Sequence, residues 1–108
     1  MIIETGADIR KEAIAANLKR IVNQTYKLLP NREENVDWQT PLTTIIEELS
    51  GMDRLLINYH NDLFAALCKL EGLFKLTEEE DFFLYRRTIF ECLNILQEIK
   101  DNVLGEGI

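Results

Sequence analysis

Phe82, Tyr85, Ile89, Cys92, Leu96, Ile99 and Val103 follow one another at alternating gaps of three and four. At 3.6 residues per turn this spacing draws one apolar seam along a helix, predicted to run from Thr77 to Leu104. Phe83, Phe90 and Leu93 are expected to widen the seam over its first half. Thr77 is placed to cap the first turn, with Glu80 three residues on completing a capping box. Glu78, Glu79 and Asp81 put negative charge at the positive end of the helix dipole, and Lys100 sits near the other end.

The same spacing recurs three times upstream. Ile14, Leu18, Ile21, Thr25 and Leu28 form a seam from Asp8 to Leu29, with Val22 and Leu29 beside it. Pro30 is expected to end that helix, because the residue before a proline is pushed out of the α region. Asn31 to Thr40 is polar and reads as the one long loop, carrying the only tryptophan, Trp38. Thr40-Pro41 opens a second helix, with Leu42, Ile45, Leu49, Met52 and Leu56 in step and Ile46 and Leu55 broadening the face. Gly51 falls inside that run without shifting its register, which predicts a kink or a close helix contact there. After a short polar turn, Asn58 to Asn61, a third helix is expected over 62–75. Leu63, Leu67, Leu70 and Phe74 lie on one of its lines, and Phe64 and Cys68 on the next. The fold expected is all-α: an antiparallel up-down-up-down four-helix bundle, with long first and last helices and a shorter middle pair.

At 108 residues with 46% hydrophobic content, the chain is expected to be a single domain with a core of its own, 1–6 and 105–108 fraying. Two prolines and five glycines argue against a sandwich of many short strands. No apolar run reaches the ~20 residues of a membrane span and the first residues are no signal peptide, so a cytoplasmic protein without membrane contact is expected. Cys68 and Cys92 both lie on apolar faces, which predicts two buried thiols. A hairpin turning near Thr77 sets them about 9 Å apart along the axis, too far for a disulfide.

The formal charge of −7 argues against direct nucleic-acid binding or adhesion to anionic lipid. It is unevenly spread. Between Ala7 and Leu29 five bases oppose two acids, whereas between Thr77 and Leu104 seven acids oppose three bases. The first and last helices therefore attract each other. Lys19, Arg20 and Lys27 form a basic stripe on the polar side of the first helix, read first as a solvated face.

Catalytic signatures are missing or incomplete. The single histidine, His60, rules out the paired Glu-x-x-His set of di-iron bundles and is placed in a solvated turn. Asn31 to Leu42 has the length of a calcium loop, but Val36 and Leu42 replace its glycine and bidentate glutamate. Glu33-Glu34-Asn35-Val36-Asp37 with Glu47-Glu48 falls short of the acid pairs of the all-α, magnesium-dependent nucleotide pyrophosphohydrolases, because Ser50 stands where an acid is needed. Glu78 to Asp81 is accounted for by the helix dipole. The expectation is a non-enzymatic protein with no cofactor and no metal. The leading reading is a chain that binds other protein chains, itself included; an acidic inhibitor or nucleic-acid mimic of the kind phages and mobile elements encode is the alternative.

Helix lengths place the expected contact. At 1.5 Å per residue the outer helices run about 33 and 40 Å and the middle pair about 25 and 21 Å, so the ends of the outer pair should project past the Asn58–Asn61 turn. Ile9 and Ala13 would then cover only part of Leu96, Ile99, Val103 and Leu104, and a homodimer is expected to cover the remainder. Trp38 is read as a core cap, with an interface anchor as its alternative.

Overall fold

A computed structural model describes the backbone over residues 2–106 and the side chains over 10–106. Its elements are α1 (Ile2–Tyr26), α2 (Leu28–Glu33), α3 (Gln39–Gly51), α4 (His60–Gly72) and α5 (Phe82–Glu106), with single 3₁₀ turns before and after α4 and before α5. The described residues contain no strand. Four longer helices and one short one make the chain all-α. α5 packs most extensively on α1 and next on α4, while α3 packs on both α1 and α4.

The seam on α5 is the floor of the core. Tyr85, Ile89, Cys92, Leu96, Ile99 and Val103 are fully buried, joined by Leu18 and Ile21 of α1, Leu42, Ile45 and Leu49 of α3, and Leu63, Ala66 and Leu70 of α4. Thr25 is the one buried polar residue among them, and its hydroxyl donates to the Ile21 carbonyl at 2.8 Å, so its own donor is met.

Several boundaries move from where the residue pattern put them. Pro30 does not end the first helical stretch. The chain turns at Lys27 and restarts as α2, where Pro30 occupies the first turn and its missing N–H would have had no intrahelical partner. The expected loop shrinks to 34–38, with Asn35 in left-handed backbone at φ 61°, a conformation asparagine tolerates. Asp37, not Thr40, caps α3: its Oδ1 accepts from the Gln39 and Thr40 N–H groups at 3.0 and 3.2 Å, and hydrogen bonding from the Thr40 side chain, then from these N–H groups, holds its carboxyl below the usual range. The capping acid before α5 is likewise one residue later than expected, with the Glu78 N–H donating to Asp81 Oδ2 at 3.2 Å.

Gly51 ends α3 instead of kinking it. A methyl group there would meet nothing within 4 Å, so no close helix contact needs the glycine. Its low helix propensity, with four backbone bonds onto the Leu49, Ser50 and Met52 carbonyls, turns the chain instead. The segment 52–59 that follows is a packed corner, burying Met52 and Leu56, and the Asp53 carboxylate meets His60 Nδ1 at 2.7 Å.

That corner removes the expected overhang. Leu96, Ile99 and Val103 are each 0% exposed within one chain, in one cluster with Met52, Leu56 and Leu63. The length argument ran Met52 and Leu56 on as helix, whereas α3 ends at Gly51 and both side chains are buried in the corner that follows. Conversely, Phe83 and Phe90 do not widen the seam. Phe83 is 82% exposed and Phe90 37%, because both lie on the side of α5 away from Ile89. Phe64 and Cys68 also stand in solvent on α4.

Ile89, fully buried at the middle of α5, sets a test of the core. Ile89→Ala is expected to cost about 2–5 kcal/mol in chemical denaturation, and a loss under about 1 kcal/mol would show the seam to be misplaced.

Candidate functional site

The most constrained side chain outside the core is one the residue pattern gave no reason to single out. Arg32 projects from the last turn of α2 across to the strap between α4 and α5. Its Nε and Nη2 donate to the Leu76 carbonyl at 3.2 and 2.8 Å, and Nη2 also donates to the Glu78 carbonyl at 2.7 Å. The guanidinium lies 5.3 Å from the Phe82 ring centre and 4.7 Å from that of Tyr85. One planar cation thus satisfies two loop carbonyls with its edge and two aromatic rings with its face, a geometry lysine cannot supply.

Beneath it, Trp38 meets Tyr85 edge to face at 5.1 Å, and Phe82 stacks on Tyr85 at 6.4 Å. Trp38 is therefore a core cap, 9% exposed, and not the exposed interface anchor kept as its alternative. The Tyr85 hydroxyl is buried with no hydrogen-bond partner among the described residues. Burial pushes its pKa well above the usual phenol value, against a smaller opposing effect of the Arg32 charge.

Around this clasp opens a cleft of about 720 Å³, walled by Glu33, Asn35 and Trp38 on one side and by Glu79, Glu80 and Phe83 on the other. The Arg32 charge is spent on carbonyls and rings, so the rim is acidic. Phe83 leads from the cleft onto the outer surface of α5. There Tyr26 and Phe90 meet edge to face at 6.2 Å, and the Arg86 guanidinium lies 5.3 Å from the Phe90 ring centre. Tyr26 is 54% exposed, so this is an aromatic face turned to solvent where the end of α1 meets α5.

The residues expected at a contact surface scatter. Leu96, Ile99 and Val103 are core, Ala13 and Leu104 are exposed, and the Ile9 side chain lies outside the described residues. Of the basic stripe, Lys19, Arg20 and Lys27 are all exposed. Arg20 pairs with Glu48 of α3 at 2.8 Å and bonds Asn17 Oδ1 at 3.1 Å, tying α1 to α3. Lys69 of α4 pairs with Glu91 of α5 at 3.5 Å. What sequence reading missed, Arg32 and the exposure of Phe83 and Phe90, had one available signal. On a wheel centred on Ile89, positions 83 and 90 fall about 120° and 100° away, on the flank and outside the seam.

His60 pairs with Asp53 and stacks on Phe64 at 6.3 Å, in an exposed corner apart from the cleft. Among the described residues no three His, Cys, Asp or Glu side chains are grouped to hold a metal, and no helix is long and apolar enough to cross a membrane. Comparison with family models, with curated proteins and with solved structures finds no match.

The two cysteines separate into distinct environments. Cys92 is buried, 3.8 Å from the Ala66 carbonyl, and burial pushes its thiol from 9.0 up to about 12, with Lys69 opposing weakly. A thiol reagent should therefore modify Cys68 fast and Cys92 only on unfolding; two slow thiols would contradict the placement of Cys68. Cys92 and Tyr85 both hold their protons longer folded than unfolded, so the unfolded chain binds fewer protons above pH 9. Stability should accordingly be full below about pH 9 and fall as pH rises towards about 12, and a melting temperature constant across that window would refute it. Arg32→Ala should lower stability by about 1–3 kcal/mol in the same assay, with Arg32→Lys failing to restore it.

Proposed function

We propose that this chain is a non-catalytic helical protein that works by binding protein chains, and that it self-associates through the outer face of α1 and α5. The observation that carries the reading is the exposed aromatic face of Tyr26, Phe83 and Phe90. Aromatic side chains and arginine are enriched at the centres of protein interfaces, and contiguous exposed apolar surface is uncommon on monomers. The contact surface is thus not the Leu96–Val103 end of the bundle, which the chain covers by itself.

The architecture that fits this role is an up-down-up-down bundle. Ala66 beside Cys92 and Lys69 beside Glu91 pair rising positions on α4 with falling ones on α5, as antiparallel neighbours do. Each α1/α5 pair then offers two parallel ridges with a groove between them, a shape suited to a second helical pair. Two free cysteines fit a reducing compartment such as the cytoplasm.

Light scattering after size exclusion tests the reading. A dimer mass is expected at about 100 μM, well above the dissociation constant of a stable interface. Phe83→Asp should yield a monomer with an unchanged melting temperature, because that side chain makes little contact within the chain. A wild-type monomer at that concentration overturns self-association.

A further inference from the structure

The cleft beside the Arg32 clasp gathers nearly all of the charge of the chain. Its two walls come from residues 32–38 and 77–83, which together carry seven acids against the single base Arg32. Seven acids less one base is −6, so two short segments hold all but one unit of the formal charge of −7. Capping accounts for Asp37 and Asp81. The dipole of α5 favours Glu79 and Glu80, but not Glu33, which ends α2 where a negative charge is disfavoured. These three glutamates line the cleft, stand exposed, and form no ion pair among the described residues. The bond from Arg32 to the Glu78 carbonyl at 2.7 Å fixes both walls, since Glu33 and Glu79 are the next residues along from its two ends. Carboxylates held across a cleft repel one another, and a cation placed between them relieves that repulsion.

We propose that this cleft binds a basic segment of a partner protein, seating an arginine side chain between Glu33 and the Glu79–Glu80 pair. The cleft is complete within one chain, so the proposal goes beyond self-association and does not depend on it. Its volume of about 720 Å³ is that of a ligand pocket and has room for one such side chain with its neighbouring backbone. Arginine suits the walls better than lysine. Its planar fork bonds carboxylates two at a time, and its face stacks on aromatic rings, of which Phe83 at the rim is 82% exposed. Arg32 shows the same combination in the same corner, with oxygen acceptors at the edge of its guanidinium and rings at its face. It is also a like charge for an incoming cation. Its donors, however, are taken by the Leu76 and Glu78 carbonyls, and the three lining carboxylates outnumber it, leaving the lining at −2.

Titration of the full chain with the acetylated, amidated tripeptide arginine-glycine-arginine tests the site. Calorimetry reads the affinity, and the emission of Trp38, the single tryptophan and part of the cleft wall, reads the location. Saturable binding that changes Trp38 emission is expected. Glu79→Gln with Glu80→Gln should weaken it about tenfold or more. Glu47→Gln with Glu98→Gln removes the same charge from exposed positions outside the cleft and should bind like wild type, with circular dichroism checking that each variant folds. Equal weakening by the two double changes would reveal a response to net charge alone and overturn the site. Heat without a change at Trp38 places the peptide elsewhere and overturns it too. The same peptide with citrulline for arginine, alike in shape but uncharged, should not bind, and binding as tight as that of arginine removes the cation from the proposal. The lysine counterpart should bind several-fold more weakly, and equal affinity overturns the assignment to arginine. Absence of saturation up to about 10 mM peptide overturns the proposal as a whole, and leaves self-association to be decided by light scattering.

Discussion

Everything in this fold is arranged to cover one side of α5. Its seam buries Tyr85, Ile89, Cys92, Leu96, Ile99 and Val103 completely over 25 residues, more continuous apolar length than any other helix supplies. Burial of such side chains contributes roughly 1.5–3 kcal/mol each, so no alternative packing that exposes this seam competes. α1 and α4 flank it, α3 packs on both of these, and the coiled segment 52–59 closes the end that the shorter helices leave open. The helix opposite the seam is then free of structural duty. That freedom is why Phe83 and Phe90 on its outer side call for an explanation that packing does not give.

The second organising feature is the Arg32 clasp. It joins the end of α2 to the strap before α5, at residues 76–78 between two 3₁₀ turns. A hydroxyl would satisfy one carbonyl at most. The guanidinium satisfies two and covers the Phe82 and Tyr85 rings as well, which keeps the Tyr85 hydroxyl dry and Trp38 seated. The acidic cleft and the first aromatic residue of the outer face are both built on this corner.

How much of this was legible in the residues depends on the range of the interaction. The four seams read correctly because their burial follows from spacing alone, and Ile89 and Leu49 fall where the period puts them. Boundaries failed where two local rules competed. Pro30 is a breaker inside a helix and harmless in a first turn, and only the turn at Lys27 decides which applies. Gly51 sat in an unbroken apolar register, yet Met52 and Leu56 keep that register in a coiled corner as well as they would in a helix. Ile99 and Val103 read as only part-covered because 52–56 continues the helical register, and a corner folded from the same residues carries the same apolar spacing. Arg32 was invisible for a different reason. Its partners are carbonyls more than forty positions away, and backbone atoms leave no mark in a sequence.

The sequence distance of the clasp bears on how the chain reaches this state. The Arg32 bonds to Leu76 and Glu78 span 44 and 46 positions, enclosing α3 and α4. Closing a loop of that size costs conformational entropy that grows with the logarithm of its length, and only contacts made on closure repay it. The helices and the α3–α4 corner draw on near neighbours and can form early, while the buckle waits until α2 and the strap are already side by side. The corner that carries the cleft therefore cannot become rigid before α2 and the strap have met.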